Sequence, residues 1–163
     1  MKEFNPPHPP KTDRVDLRVF AGGSIEMDTA EEWQPHLAKL LRNAEKPQIR
    51  PISMMNPRRK DWDSSWKQSI DDENFVTQVT WELDEIEEAD VVILYFQSGT
   101  KSPISLLELG LCAGLFPEKL IVICPDGFWR KGNVDIVCDR YGIKQVSSLF
   151  EAVNYIMDHI DEW

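Results

Sequence analysis

Basic residues are in short supply in this chain. Its 163 residues hold 18 Lys and Arg against 28 Asp and Glu, a formal net charge of -10. That balance excludes loose electrostatic attraction to a nucleic-acid backbone, so no nucleic-acid partner is expected. No apolar run approaches the ~20 residues that cross a bilayer, and the N-terminus lacks a signal-peptide pattern. A cytoplasmic protein with no membrane partner is therefore expected. Cysteine is sparse as well: Cys112, Cys124 and Cys138 are odd in number and widely spaced, which excludes a disulfide framework and a zinc pattern. They read as reduced core thiols. His8, His36 and His159 are scattered, and neither a metal nor a cofactor is expected.

What is present suits one domain with a real core, since 42% of residues are hydrophobic. Residues 1–15 read as a tail, proline-rich over Asn5-Pro6-Pro7-His8-Pro9-Pro10, and residues 16–163 as the domain. Leu17-Arg18-Val19-Phe20 reads as a strand that breaks at Ala21-Gly22-Gly23-Ser24. A helix follows, with Thr29 and Glu32 in capping-box spacing and Trp33, Leu37, Leu40 and Leu41 on its apolar face, although Pro35 argues for a later start. Ile49 to Met54 forms a second strand, and a long polar loop runs from Asn56 to Trp66. Phe75, Val79, Leu83 and Ile86 recur at helical spacing. Val91-Val92-Ile93-Leu94-Tyr95-Phe96 and Leu120-Ile121-Val122-Ile123-Cys124 are apolar throughout, as strands buried on both faces are. Between them a helix covers Pro103 to Leu115. A short helix spans Asn133 to Tyr141, Lys144-Gln145-Val146 is a last strand, and Ser148 with Glu151 opens a terminal helix.

Strands alternating with helices imply an α/β fold, here a flavodoxin-like doubly wound parallel sheet of four to five strands with helices on both faces. Such sheets bind ligands at the carboxyl ends of their strands, where strand order reverses. The loops after Phe20, Phe96 and Cys124 are therefore the places to search.

The densest signal lies in Ser98-Gly99-Thr100-Lys101-Ser102-Pro103-Ile104-Ser105-Leu106-Leu107-Glu108-Leu109-Gly110. Ser102 before Pro103 is a helix start. Glu108 then stands in an almost wholly apolar helix, with small side chains at Ser105 and Cys112 around it. A buried carboxylate costs several kcal/mol unless it is paired or has a task. Two readings fit: a pair with a lysine or arginine at a helix contact, or a functional carboxylate. Asp84, Glu85, Glu87 and Glu88 read as a solvated helix face, and Glu82 shares that reading on spacing alone.

Ala89-Asp90 ahead of an apolar strand, a Ser/Thr-rich loop and Leu107-Glu108-Leu109-Gly110 resemble the nucleoside 2-deoxyribosyltransferase family. Val19-Phe20-Ala21-Gly22-Gly23-Ser24-Ile25 is similar to that family's first strand and glycine turn. Asn56-Pro57-Arg58-Arg59 and the run from Ser102 to Gly110 look most like a divergent deoxyribosyltransferase-like branch. The resemblance covers the chain from about Leu17 onward.

It implies homo-oligomers that exchange the base of a 2'-deoxynucleoside through a covalent deoxyribosyl–glutamate intermediate. Nucleoside and free nucleobase are then the small-molecule partners. By motif position Glu108 is the nucleophile. Eight residues before Asp90 the family has an aspartate that handles the proton of the leaving base; Glu82 stands there, with Asp84 as fallback. By analogy with retaining glycosidases the two carboxyl groups are expected about 5 Å apart. Six residues before the nucleophile transferases often carry a sugar-contacting aspartate, whereas this chain has Ser102, as the related 5'-monophosphate N-hydrolases do. Asn133 resembles the asparagine that a neighbouring transferase subunit lends to the sugar 5'-hydroxyl.

Phe20, Gly22, Gly23 and Ser24 are expected to pass close beneath the ligand. Trp62, Trp66 and Trp129 either stack on a base or anchor loops, and Asp61 or Asp63 accepts from an exocyclic amine. Arg58 and Arg59 either meet a phosphate or lie on the surface. The first reading is base exchange; N-glycosidic hydrolysis and a non-catalytic nucleotide-binding module are the alternatives.

Overall fold

A computed structural model of the chain describes residues 1–12, 15–26, 29–46, 49–59, 62–63 and 65–163. Six strands form one all-parallel sheet: β1 (Lys2–Phe4), β2 (Leu17–Gly23), β3 (Ile52–Met55), β4 (Val91–Tyr95), β5 (Leu120–Ile123) and β6 (Lys144–Val146), in the order β1-β3-β2-β4-β5-β6. Among the described residues four α-helices connect successive strands from β2 onward, α1 (Gln34–Ala44), α2 (Glu73–Glu88), α3 (Pro103–Leu115) and α4 (Lys131–Tyr141), and α5 (Leu149–Asp158) follows β6. The sheet thus has one strand more than the sequence pattern implies. The extra strand lies inside the expected tail, where Lys2–Phe4 pairs in parallel with Ser53–Met55 at the sheet edge.

Alternation along the strands divides the core into two layers. Leu17, Val19, Ile52, Met54, Val91, Ile93, Ile121 and Ile123 face α1 and α5, meeting Leu37, Leu41, Val153 and Ile156. Phe20, Met55, Val92, Leu94, Leu120 and Val122 face the other way, onto Trp81 and Ile86 of α2, Leu109 and Cys112 of α3, and Val134 and Cys138 of α4. Each such side chain contributes about 1.5–3 kcal/mol of burial. The three cysteines are buried and free.

Local differences from the sequence expectation have local causes. Helix α1 starts at Gln34 with Pro35 in its first turn, so no capping box forms at Thr29 and Glu32. Asp72 caps α2, accepting from Asn74 N and Phe75 N, both at 3.1 Å. The buried face of α2 runs through Gln78, Trp81, Glu85 and Ile86, leaving Leu83 exposed. Glu85, expected on a solvated face, is buried because Arg18 reaches it (Nη2–Oε2 2.6 Å) while also meeting Glu88 at 2.9 Å.

β2 lies between β3 and β4, and the chain leaves it first to one side and then to the other. The reversal point is therefore the gap between the ends of β2 and β4. There Gly23 pairs with Tyr95 at φ +138°, and a Cβ on Gly23 would lie 2.3 Å from the Tyr95 carbonyl oxygen. Both the conformation and the space demand glycine. Gly23→Ala is expected to lower stability by at least about 2 kcal/mol, read as a lower urea midpoint at unchanged m-value.

Candidate active site

At the reversal point the end of β2 meets the loop from β4 to α3. Ser24, Thr100 and Ser102 bring three buried hydroxyls together: Ser24 Oγ lies 2.8 Å from Thr100 Oγ1 and 2.7 Å from Ser102 Oγ, and the latter two are 2.9 Å apart. Gln97 N–H donates to Ser24 Oγ at 2.9 Å, and Trp33 Nε1–H donates to the Ser24 carbonyl at 2.9 Å. Ser102 stands at the N-cap position of α3, but its hydroxyl serves this cluster and caps no helix amide. Its backbone is left-handed, φ 45° and ψ 53°, an arrangement that costs a non-glycine residue about 1–2 kcal/mol. The carboxylate of Glu26 holds the turn just ahead of the helix, with Oε1 accepting from Lys101 N at 2.7 Å and from Ser102 N.

Glu108 lies two turns further along α3, 8% exposed. Among the described residues no lysine, arginine or hydrogen-bond donor meets its carboxyl group, so it is not the helix-contact ion pair that its surroundings also allowed. Burial first, and the charge of Glu82 second, push its pKa up to about 8. Repulsion between two carboxylates is reciprocal, so the pair favours holding one proton at neutral pH. Cys112, one turn beyond Glu108, is pushed up to about 12 by burial and by Glu108. It stays a neutral thiol and offers no competing nucleophile.

Glu82 approaches from α2. Burial raises its pKa, and a hydrogen bond from Gln78 partly offsets the rise. Gln78 Nε2 donates to Glu82 Oε1 at 2.7 Å and to the Pro57 carbonyl at 3.0 Å, which settles the orientation of the amide because the carbonyl only accepts. Gln78 was not singled out by its residue type, although its four-residue spacing from Glu82 is a helix-neighbour signal. Asp84, the fallback acid, is exposed.

The remaining expected residues fall into two groups. Phe20 is wholly buried beneath the sheet, and a Cβ on Gly22 would lie 2.8 Å from its ring. Gly22 and Gly23 thus answer to their own sheet, while Ser24 joins the hydroxyl cluster. The β3–α2 connection forms a local knot: Trp62 and Trp66 meet edge to face at 5.1 Å and Arg59 lies over Trp66. Asp63 accepts from Ser65 N at 2.8 Å, and that bond holds its pKa low. Asp61 lies outside the described residues. Arg58 meets Glu32 at 3.3 Å, and Trp129 donates to the Lys101 carbonyl at 3.0 Å with Arg130 stacked on it.

Asn133 is exposed in the first turn of α4. It lines a groove of about 300 Å³ with Leu106, Leu109, Gly110, Arg130, Val134 and Val137. Leu106 and Gly110 stand two positions either side of Glu108, and at about 100° per residue they project from the opposite flank of α3. Within one chain, then, Asn133 and Glu108 face away from each other across α3.

No described helix is long and apolar enough to cross a membrane. Among solved structures, a conserved protein from Enterococcus faecalis V583 is similar over 88% of this chain and 99% of its own, with a TM-score of 0.61 at 12% identity, a likeness of fold. No curated protein matches the chain. The family model described as nucleoside 2-deoxyribosyltransferase like matches residues 16–128, from the start of β2 past the end of β5. That span is well over half of the chain and holds both Glu82 and Glu108, and the chain belongs to the nucleoside 2-deoxyribosyltransferase-like family.

Proposed function

We propose that the protein exchanges the base of a 2'-deoxynucleoside, with Glu108 as nucleophile and Glu82 as acid and base. The observation that carries this reading is the buried Glu108 carboxyl, unpartnered among the described residues and electrostatically coupled to Glu82. A structural carboxylate in such a place is ordinarily paired with a cation; this one instead has its pKa raised by burial and by the charge of Glu82, which suits acid–base chemistry. In the reactive form the pair's one proton sits on Glu82: the ionised Glu108 attacks C1', the C1'–N bond breaks, and its electron pair leaves with the base as Glu82 donates the proton. A second base then loses its proton to Glu82 and attacks C1', and Glu108 departs as carboxylate. Gln78 holds Glu82 in place through both steps.

The site is completed by a second copy of the chain. Asn133, turned away from its own Glu108, is supplied to a neighbour, and Ile104 and Leu107 of α3 and Ile136 of α4 are exposed apolar side chains available to such a contact. Glu108→Gln and Asn133→Ala variants are each expected to be nearly inactive alone. After dissociation and mixed reassembly they should regain exchange activity, because a mixed pair holds one intact site. A mixture that stays inactive would place Asn133 outside the partner's site.

Exchange itself is read by chromatography of 2'-deoxynucleosides incubated with and without a second free base. A new deoxynucleoside that forms with the acceptor base present is the expected result. Free sugar without exchange would make the protein an N-hydrolase, and binding without turnover would make it a binding module.

A further inference from the structure

Resting on the exchange reading above, we infer that Asn5 is a positioning residue for the acid: it fixes the turn at Pro57, and through Gln78 that turn holds Glu82. The sequence pattern assigns residues 1–15 to a tail, yet this segment is bonded to the two elements that carry and support Glu82. Asn5 Nδ2 donates to the Asn56 carbonyl at 3.0 Å and to the Arg58 carbonyl at 3.1 Å, one hydrogen to each. Trp81 Nε1–H donates to the His8 carbonyl at 3.0 Å, and Trp81 is the residue before Glu82 on α2.

The two carbonyls that Asn5 holds flank Pro57, whose own carbonyl accepts from Gln78 Nε2 at 3.0 Å. The other hydrogen of that nitrogen goes to Glu82 Oε1 at 2.7 Å. Gln78 is 4% exposed, and among the described residues its Oε1 has no partner. The amide is therefore placed by its two donated bonds alone, and Pro57 is the fixed end of the pair. A proline has no N–H with which to anchor itself, so the turn depends on its neighbours. Asn56 N–H reaches the Phe4 carbonyl and Asn56 Nδ2 reaches Glu3 Oε1, both at 2.9 Å. Glu3 and Phe4 thus hold one side of Pro57, and Asn5 spans it.

A general acid works only within hydrogen-bond reach of the atom it protonates, so small displacements of Glu82 are costly. The bond from Gln78 also opposes the rise that burial imposes on the Glu82 pKa, and the charge coupled to Glu82 is that of Glu108 on α3. Movement of the Pro57 carbonyl therefore changes both the place and the proton affinity of the acid. Asn5 itself is exposed and outside the core, so its replacement removes two bonds without opening a cavity.

The test is Asn5→Ala, alone and combined with Gln78→Met. The carboxyl carbon resonance of Glu82 is followed against pH by nuclear magnetic resonance, and base exchange is measured on the same proteins. In Asn5→Ala the Glu82 midpoint is expected to move upward, because the bond that lowers it is loosened. kcat should fall about five- to tenfold with KM within about twofold of wild type. Asn5→Asp, which offers the two carbonyls no hydrogen, should match it. In the Gln78→Met background Asn5→Ala should change kcat by less than about twofold, because its effect runs through Gln78. A lower urea midpoint with unchanged Glu82 titration and kcat would make Asn5 merely structural and overturn the inference. Equal losses in the two backgrounds would do the same. If Gln78→Met folds poorly, the Glu82 titration of Asn5→Ala decides alone. If that titration moves upward while wild type exchanges no base, the positioning stands and the exchange reading falls.

Discussion

Glu108→Gln should lose base exchange by about 10⁴-fold or more in kcat while still binding the nucleoside within a few-fold of wild type. The substitution keeps the shape of the side chain and removes the oxygen that attacks C1'. Nothing nearby can take over: Cys112, the nearest sulfur on the helix, is held as a neutral thiol near 12. The hydroxyls of Ser24, Thr100 and Ser102 are bonded to one another. Single-turnover kinetics with a bound deoxynucleoside would measure the loss. Retention of more than about one hundredth of the activity would remove Glu108 from the nucleophile's role.

The same substitution should stabilise the folded protein, and by an amount that depends on pH. A carboxyl whose pKa rises on folding contributes most to stability when it is protonated. That contribution is whole below the unfolded value of 4.5 and is lost as pH climbs through about 8. Glutamine carries no such penalty. Wild type and Glu108→Gln should therefore unfold at similar urea concentrations near pH 5. By pH 9 the variant should be more stable by on the order of 3 kcal/mol. Glu82 is raised by its own burial in both proteins, so most of its effect cancels in the comparison. A stability gap that does not change between pH 5 and pH 9 would mean that Glu108 is not desolvated in the folded state. Held against stability in this way, a carboxylate is better explained by chemistry than by packing.

These expectations rest on features of unequal legibility. The apolar runs of β4 and β5 and the Ser102-Pro103 start of α3 can be read directly, because burial on both faces and a proline-fixed first turn are local properties. The reversal point follows from strand alternation, and with it the place where the loops after β2 and β4 converge. Strand β1 is not legible: Lys2-Glu3-Phe4 is short and charged, and it becomes a strand by borrowing the edge of β3. Glu85 hides in an acidic run, since its burial depends on Arg18, 67 residues away. Glu26 is likewise invisible from spacing, because its partners lie 75 and 76 residues on. The motif around Glu108 points to a carboxylate with a task, but its isolation from cations is a tertiary property. The tryptophans of the β3–α2 connection carry a strong aromatic signal, and Trp62 and Trp66 spend it on each other.

The central claim is a covalent bond between Glu108 and the sugar, and trapping that bond tests it most directly. A 2'-fluoro-2'-deoxyarabinosyl nucleoside slows the second displacement, because the fluorine destabilises the oxocarbenium-like transition state more than it hinders accumulation of the ester. Mass spectrometry of the intact protein after incubation should then show one added 2-fluoro-2-deoxyarabinosyl group per chain. Proteolysis should place it on Glu108, and addition of a free base should discharge it as a new nucleoside. Base exchange at full rate with no adduct, or with the label on another residue, would contradict the account.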